Sequence, residues 1–176
     1  ARRRRKYLKG ASETHKSEVP VIVVGNLTIG GTGKTPLVKY IASELLSLGY
    51  KPGLVSRGYG GKFKETLLVS DQTPVKQTGD EAQILATLNL PFYIDKSRVR
   101  AVKAITDNHD CDIIISDDGL QHYKMNRDIE IVVIDGKRRF GNNLTFPAGP
   151  LRESKARLNS VDFIVNNSGP TDEGEY

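Results

Sequence analysis

One run of thirteen residues constrains this chain more than any other: Val23-Val24-Gly25-Asn26-Leu27-Thr28-Ile29-Gly30-Gly31-Thr32-Gly33-Lys34-Thr35. A short apolar segment, Val21 to Val24, feeds a glycine-rich turn that ends in Gly-Lys-Thr, and an amphipathic segment follows at once. This is the strand–loop–helix context that a phosphate-binding P-loop requires. The glycines let backbone N–H groups curl around an anion, the helix N-terminus adds a partial positive charge, and Lys34 adds a full one. The candidate phosphate-binding set is Thr28, Ile29, Gly30, Gly31, Thr32, Gly33, Lys34 and Thr35, with the Thr35 hydroxyl placed to serve Mg²⁺. One feature departs from the usual G-x-x-x-x-G-K-[ST] pattern: Thr28 stands where glycine is normal. The competing reading is a glycine-rich connector in an α/β domain. Gly30 and Gly31 in front of Gly-Lys-Thr weigh against it.

Strands and helices alternate along the rest of the chain. Val19–Val24 reads as a buried strand and 35–48 as a helix, with Leu37, Val38, Ile41, Leu45, Leu46 and Leu48 forming an apolar stripe near period 3.6. Pro36 lies in its first turn, where a missing N–H costs nothing, and Gly49 ends it. Strand patterns recur at 53–56, 65–69, 92–94, 113–116, 129–134 and 161–165, and helical patterns at 80–88 and 96–108, the latter with Val99, Val102 and Ile105 on one face. The polar stretch 70–78 reads as a loop. Several strands are apolar on both faces. The pattern predicts an α/β fold, P-loop NTPase-like, with a mainly parallel sheet and helices on both faces.

The charge distribution sets off the N-terminus. The chain has 176 residues and a formal net charge of +5. Residues 1–20 hold seven basic residues (Arg2 to Arg5, Lys6, Lys9, Lys16) against Glu13 and Glu18, so all of the net charge lies there. The expected organisation is a basic arm over 1–18, a nucleotide-binding domain over 19–170 and a tail or linker over 171–176. Such an arm suits an anionic membrane surface or nucleic acid. The neutral body and the lack of interleaved aromatics argue against nucleic acid. No apolar run approaches the length of a membrane span, and no apolar segment of a secretory signal follows the arginines. The single cysteine, Cys111, excludes an internal disulfide and reads as a small residue entering a strand.

Ligands of open parallel sheets bind beyond the C-terminal ends of the strands. Polar residues cluster at several such ends: Ser56-Arg57-Gly58, Asp117-Asp118-Gly119 and Asp135. The run Ile113-Ile114-Ile115 ending in acids resembles a Walker B element, where one acid holds Mg²⁺ and a second is free for another task. Arg57 and Arg152 are candidate phosphate clamps. His122 reads as a turn residue. Asp80, read by itself, is an acid that favours the N-terminus of a helix.

Taken in order, these segments resemble the tetraacyldisaccharide 4′-kinase (lipid A 4′-kinase) family. The matching stretches are Val19 to Pro36, Ser56-Arg57-Gly58-Tyr59-Gly60, Gly79-Asp80-Glu81, Asp117-Asp118-Gly119-Leu120-Gln121-His122 and Pro147-Ala148-Gly149-Pro150-Leu151-Arg152-Glu153. The absence of glycine at position 28 is typical of that family. The resemblance implies ATP-dependent phosphorylation of the 4′-hydroxyl of an acylated glucosamine disaccharide-1-phosphate, with ATP and Mg²⁺ as cofactors. It implies an anionic glycolipid substrate, a peripheral place on the membrane and no nucleic-acid partner, at the cytoplasmic face of a Gram-negative inner membrane. It makes Asp80 the acid of a catalytic dyad, and gives Asp117, Asp118 and Glu153, with Thr35, to the metal and phosphate environment. It also implies that the chain is the N-terminal part of a longer protein whose second lobe bears an Asp-His-His stretch, with a histidine that partners Asp80. The rival class is a P-loop switch or metallochaperone GTPase that binds partners without phosphorylating a sugar. Such a protein normally reads guanine with Asn/Thr-Lys-x-Asp, and Val165-Asn166-Asn167-Ser168 lacks the lysine and the acid.

Overall fold

In the computed structural model, residue 7 and residues 13–176 are described. Arg2 to Arg5, Lys6 and Lys9 of the basic arm lie outside the described residues.

A seven-stranded sheet runs through the molecule. Its strands are β1 (Val21–Gly25), β2 (Pro52–Ser56), β3 (Leu67–Leu68), β4 (Phe92–Ile94), β5 (Ile113–Asp117), β6 (Ile129–Asp135) and β7 (Phe163–Asn167). The spatial order is β3-β4-β2-β5-β1-β6-β7. Every neighbouring pair is parallel except β3 with β4 at one edge. The α-helices are α1 (Lys34–Ser47), α2 (Val75–Thr78), α3 (Asp80–Ala86) and α4 (Arg98–Asn108), and a 3₁₀ turn, Lys155–Ser160, precedes β7.

The apolar strands divide their side chains between two cores. Ile22, Val24, Leu54, Phe92, Ile94 and Ile115 point to the face covered by Val38 and Ala42 of α1 and by Ala82, Leu85 and Ala86 of α3. Val21, Val23, Val55, Tyr93 and Ile114 point to the other face, covered by Ala101, Val102 and Ile105 of α4. Alternating side chains along each strand serve opposite layers, so the central strands are apolar throughout. Each fully buried Leu, Ile or Phe contributes about 1.5–3 kcal/mol.

Several element ends differ from the sequence expectation. The 70–78 stretch is not all loop, because Pro74 starts the short helix α2. The α1 stripe stops early: Leu46 and Leu48 are 43% and 72% exposed, while Ala42 takes a fully buried place. The last strand runs two residues later than the apolar pattern, since Asn166 and Asn167 keep pairing with Ile134 and Asp135 of β6. Ladder register, not side-chain polarity, sets that end.

Topology assembles the site. Between β1 and β2 the chain passes over β5, so β5 is inserted directly beside β1. The register aligns Val24 with Asp117. After β5 the chain crosses closely over the end of β1, where a Cβ on Gly25 would lie 2.5 Å from the Leu120 Cβ. Glycine at position 25 therefore permits the Asp117–Gln121 turn to sit against the glycine-rich loop.

Candidate nucleotide-binding site

The loop between β1 and α1 has the conformation its glycines allow. Gly30 and Gly33 have φ of 104° and 86°, values that residues with a Cβ rarely adopt. Gly33 is the N-cap of α1, and no side chain caps that helix. The N–H groups of Gly30 through Lys34 meet no hydrogen-bond acceptor among the described residues. A row of free donors at a helix N-terminus is an anion cradle. Thr28 bridges to Leu151, and the Ile29 N–H donates to the Pro150 carbonyl at 2.8 Å, which lashes the loop to the 150–152 segment.

Lys34 reaches across to the acids. It is 7% exposed, with Nζ 3.6 Å from Asp118 Oδ1. Asp118 also accepts two hydrogen bonds from Arg152 Nη1, at 2.9 and 3.0 Å. Burial opposes ionisation of Asp118, but Lys34, Arg152 and Arg98 outweigh it and hold its pKa below the ordinary value. Its φ of +48° places it in the left-handed region. Such backbone strain in a non-glycine residue clusters at functional sites.

Asp117 has the opposite environment. Both of its carboxylate oxygens are buried and neither has a hydrogen-bond partner among the described residues. Burial, then the neighbouring Asp118 charge, push its pKa up to about 6 against the pull of Lys34, and Glu81 adds to the rise. A buried, unpartnered carboxylate is costly unless a cation meets it. With the Thr35 hydroxyl at the start of α1, this donor set fits Mg²⁺, a hard cation that prefers oxygen ligands. Thr35, Asp117 and Asp118 are the residues that would hold it.

Glu153 does not join them. It is buried, accepts a hydrogen bond from the Tyr123 hydroxyl through Oε1, and has Oε2 3.9 Å from Arg157 Nε. Arg157 in turn pairs with Glu130. Among the described residues no three acidic, histidine or cysteine side chains group closely enough to hold a metal ion. The Glu153 Oε1 is taken up by this internal cluster, while Oε2 is buried with no hydrogen-bond partner among the described residues.

Arg57 and Arg152 do share a place. With Lys96, Arg98, Asp118, Gln121 and His122 they line a cleft of about 180 Å³. Four cations against one acid make it a site for an anionic group. Asp80 stands at the N-terminus of α3, exposed and with no hydrogen bond or ion pair to its carboxylate among the described residues. Gly79 fixes that helix start: a Cβ there would lie 2.0 Å from the Tyr59 carbonyl, so the Arg57–Gly61 turn packs directly on it.

Sequence reasoning missed Arg98. It is 1% exposed and donates to the carbonyls of Asp95, Asp117 and Asp118 at 3.1, 2.9 and 3.4 Å, pinning the acid turn from below. Burial lowers its pKa to about 10, so it stays charged at neutral pH. The signal was present: Arg98 shares the i, i+3, i+4, i+7 stripe with Ala101, Val102 and Ile105. The Glu81 carboxylate adds a further negative charge to the surroundings of Asp117.

The family model described as tetraacyldisaccharide-1-P 4′-kinase (LpxK) matches residues 1–176. The chain belongs to this family. A tetraacyldisaccharide 4′-kinase of Psychromonas ingrahamii is 53% identical over 169 residues, covering 95% of this chain and 53% of the relative. That of Vibrio campbellii is 50% identical over 175 residues, covering 98% and 52%. A crystal structure of LpxK from Aquifex aeolicus, described as an "apo" form in complex with ATP, matches with a TM-score of 0.85 at 32% identity, covering 98% of this chain and 58% of that one. The chain thus spans about half the length of the curated kinases it matches. The fold is that of the P-loop domain in the tetraacyldisaccharide 4′-kinases.

Proposed function

We propose that the full-length protein transfers the γ-phosphoryl group of ATP to the 4′-hydroxyl of an acylated glucosamine disaccharide-1-phosphate, a step of lipid A assembly. The observation that carries this reading is the Lys34–Asp118–Arg152 arrangement between a row of free loop N–H groups and a cationic cleft, in a chain of the tetraacyldisaccharide-1-P 4′-kinase family. The A. aeolicus relative is described in complex with ATP, which supports ATP as the donor.

In this mechanism the loop N–H groups and Lys34 bind the β- and γ-phosphates. Thr35, Asp117 and Asp118 would hold Mg²⁺, which would supply neutralisation of phosphate charge. Arg152 and Arg57 hold anionic oxygen in the cleft. Asp80 orients and deprotonates the sugar hydroxyl, in partnership with a histidine of the second lobe. Most of the rate enhancement comes from positioning and electrostatic stabilisation. The acceptor is a membrane glycolipid, so the protein works as a peripheral protein at the cytoplasmic face of a Gram-negative inner membrane. No helix among the described residues is long and apolar enough to cross a membrane.

The test is phosphoryl transfer by the full-length protein from ATP, with and without the disaccharide-1-phosphate lipid. The expected result is lipid-dependent turnover with a new phosphate ester on the lipid. ATP turnover indifferent to the lipid would refute the reading.

A further inference from the structure

Three successive carbonyls of the glycine-rich loop are each held by a side chain from a different part of the sheet. Asn26 Nδ2, at the end of β1, donates to Gly30 O at 3.1 Å. Arg138 Nη2, in the turn after β6, donates to Gly31 O. Asn167 Nδ2, at the end of β7, donates to Thr32 O at 3.1 Å. Within a trans peptide the C=O of one residue and the N–H of the next point in opposite directions. Fixing the carbonyls of residues 30–32 therefore fixes the N–H groups of residues 31–33 on the other side, which is the side that must face an anion.

Two of these holds are themselves built in. Asp135, the last residue of β6, receives Arg138 Nε at 2.5 Å and accepts the Arg138 N–H at 3.0 Å, so the guanidinium is aimed before it reaches the loop. Asn167 lies directly on Gly33, where a Cβ would come within 2.2 Å of its Nδ2. The missing side chain at position 33 serves the contact with Asn167 as well as the positive φ.

We propose that Asn167 and Arg138 are positioning residues that preset the phosphate loop before any nucleotide arrives. The inference rests on the reading of this loop as a nucleotide site. A preset cradle spends little of its binding free energy on ordering its own backbone. Loss of either donor lets the loop carbonyls turn inward, where they repel phosphate oxygens. Neither residue contacts the base or the acceptor in this account, so their effect falls on phosphate binding alone.

The experiment is calorimetric titration of the full-length protein with Mg·ATP and, separately, with inorganic tripolyphosphate, alongside steady-state kinetics. Asn167→Ala weakens both ligands by a similar factor of about three to ten, the range of one neutral hydrogen bond. It raises KM for ATP while kcat at saturating ATP and KM for the lipid stay unchanged. Asn167→Leu, close to asparagine in shape, keeps the packing without the donor and gives the same result if folding of the alanine variant suffers. Arg138→Met weakens both ligands, and Arg138→Lys, which keeps a donor, restores most of the affinity. Unchanged affinity for both ligands in Asn167→Ala and Asn167→Leu would overturn the proposal. So would loss of ATP affinity with tripolyphosphate unaffected, which would make Asn167 a reader of the base. Lys34→Ala is the control for the parent reading: if it keeps full tripolyphosphate binding, the loop is not a phosphate site at all.

Discussion

Lys34 and Asp118 face each other across 3.6 Å, both largely shielded from water, one at the start of α1 and the other just past β5. The lysine that would receive the phosphates is thus already paired with an acid of the metal group. Ligand binding exchanges one anionic partner for another, and the partly buried lysine is never left uncompensated. Asp118 also accepts two hydrogen bonds from Arg152, independently of its pairing with Lys34.

That pairing makes the first prediction specific. Lys34→Ala should leave the fold intact, because Asp118 is still held by Arg152, but should abolish measurable kinase activity in the full-length protein. A charge-assisted contact to the transferring phosphate contributes on the order of a few kcal/mol in the transition state. Circular dichroism with a turnover assay checks both halves. A folded Lys34→Ala variant with near-normal activity would sink the P-loop assignment.

The acids separate by environment, which gives the second prediction. Among the described residues Asp80 is exposed with no partner for its carboxylate, whereas Asp117 is buried with two unsatisfied oxygens. Asp80→Ala should lower kcat by about 10²–10⁴-fold, the usual range for a general acid–base group, with little change in the Mg²⁺ titration. Asp117→Ala should instead raise the Mg²⁺ concentration needed for half-maximal activity. The two assignments are reversed if Asp80→Ala mainly moves the Mg²⁺ curve.

Asp117 also carries a pH signature. Its folded pKa, about 6, lies above its ordinary value of 3.8. Between those values the folded state binds more protons than the unfolded chain, so stability falls as pH rises through that window. A two-unit rise corresponds to about 3 kcal/mol lost between pH 4 and 6 in the absence of cation. Asp117→Asn should remove this slope, so the difference in thermal midpoint between variant and wild type should grow in the variant's favour across the window. Mg²⁺ should recover the wild type above pH 6 and leave Asp117→Asn unmoved. Parallel pH profiles for the two proteins would show that Asp117 does not titrate in this range.

The features that read cleanly from sequence are those where chemistry and periodicity coincide. The apolar run before Asp117 and the glycines before Lys34 announce strand ends that carry function, because a buried strand excludes polar residues until it emerges. Arg98 was hidden because a basic residue on an amphipathic helix reads as solvated, and two of its three carbonyl acceptors, those of Asp117 and Asp118, come from the turn after a strand distant in sequence. Glu153 went the other way. Its motif neighbour Arg152 reaches Asp118, but Tyr123, brought in by tertiary folding, donates to one oxygen of the adjacent carboxylate, and Arg157 Nε lies 3.9 Å from the other. Asn167 lies at the end of an edge strand whose polar tail resembles a loop, so its contact with Thr32, distant in sequence, left no local trace.

The basic arm supports a fourth prediction, from charge alone. Seven basic residues in 1–20 hold all of the net charge, and the proposed acceptor is an anionic lipid. Binding to anionic vesicles should gain about 1 kcal/mol per basic residue near the surface and weaken with salt. Neutralising Arg2 to Arg5 should reduce vesicle binding and spare ATP affinity, as read by co-sedimentation and nucleotide titration. Equal binding to neutral and anionic vesicles would rule out an electrostatic arm.

Two glycines of the loop should respond oppositely to the same substitution. Gly31 has open space around the position a Cβ would take, and its φ is not in the left-handed region. Gly33 has a φ of 86°, and a Cβ there would meet Asn167 Nδ2 at 2.2 Å. Gly31→Ala should therefore leave the unfolding free energy unchanged or raise it slightly by reducing the freedom of the unfolded chain. Gly33→Ala must adopt a left-handed conformation at a cost of about 1–2 kcal/mol, and must also displace Asn167 from Thr32. Chemical denaturation of the two variants measures the first effect, and tripolyphosphate titration measures the second. The expected pattern is a lower unfolding midpoint and weaker phosphate binding for Gly33→Ala, with the stability of Gly31→Ala untouched. Equal stability of the two variants would mean that the loop relaxes around residue 33 without strain, and that the contact between Asn167 and the loop is not tight.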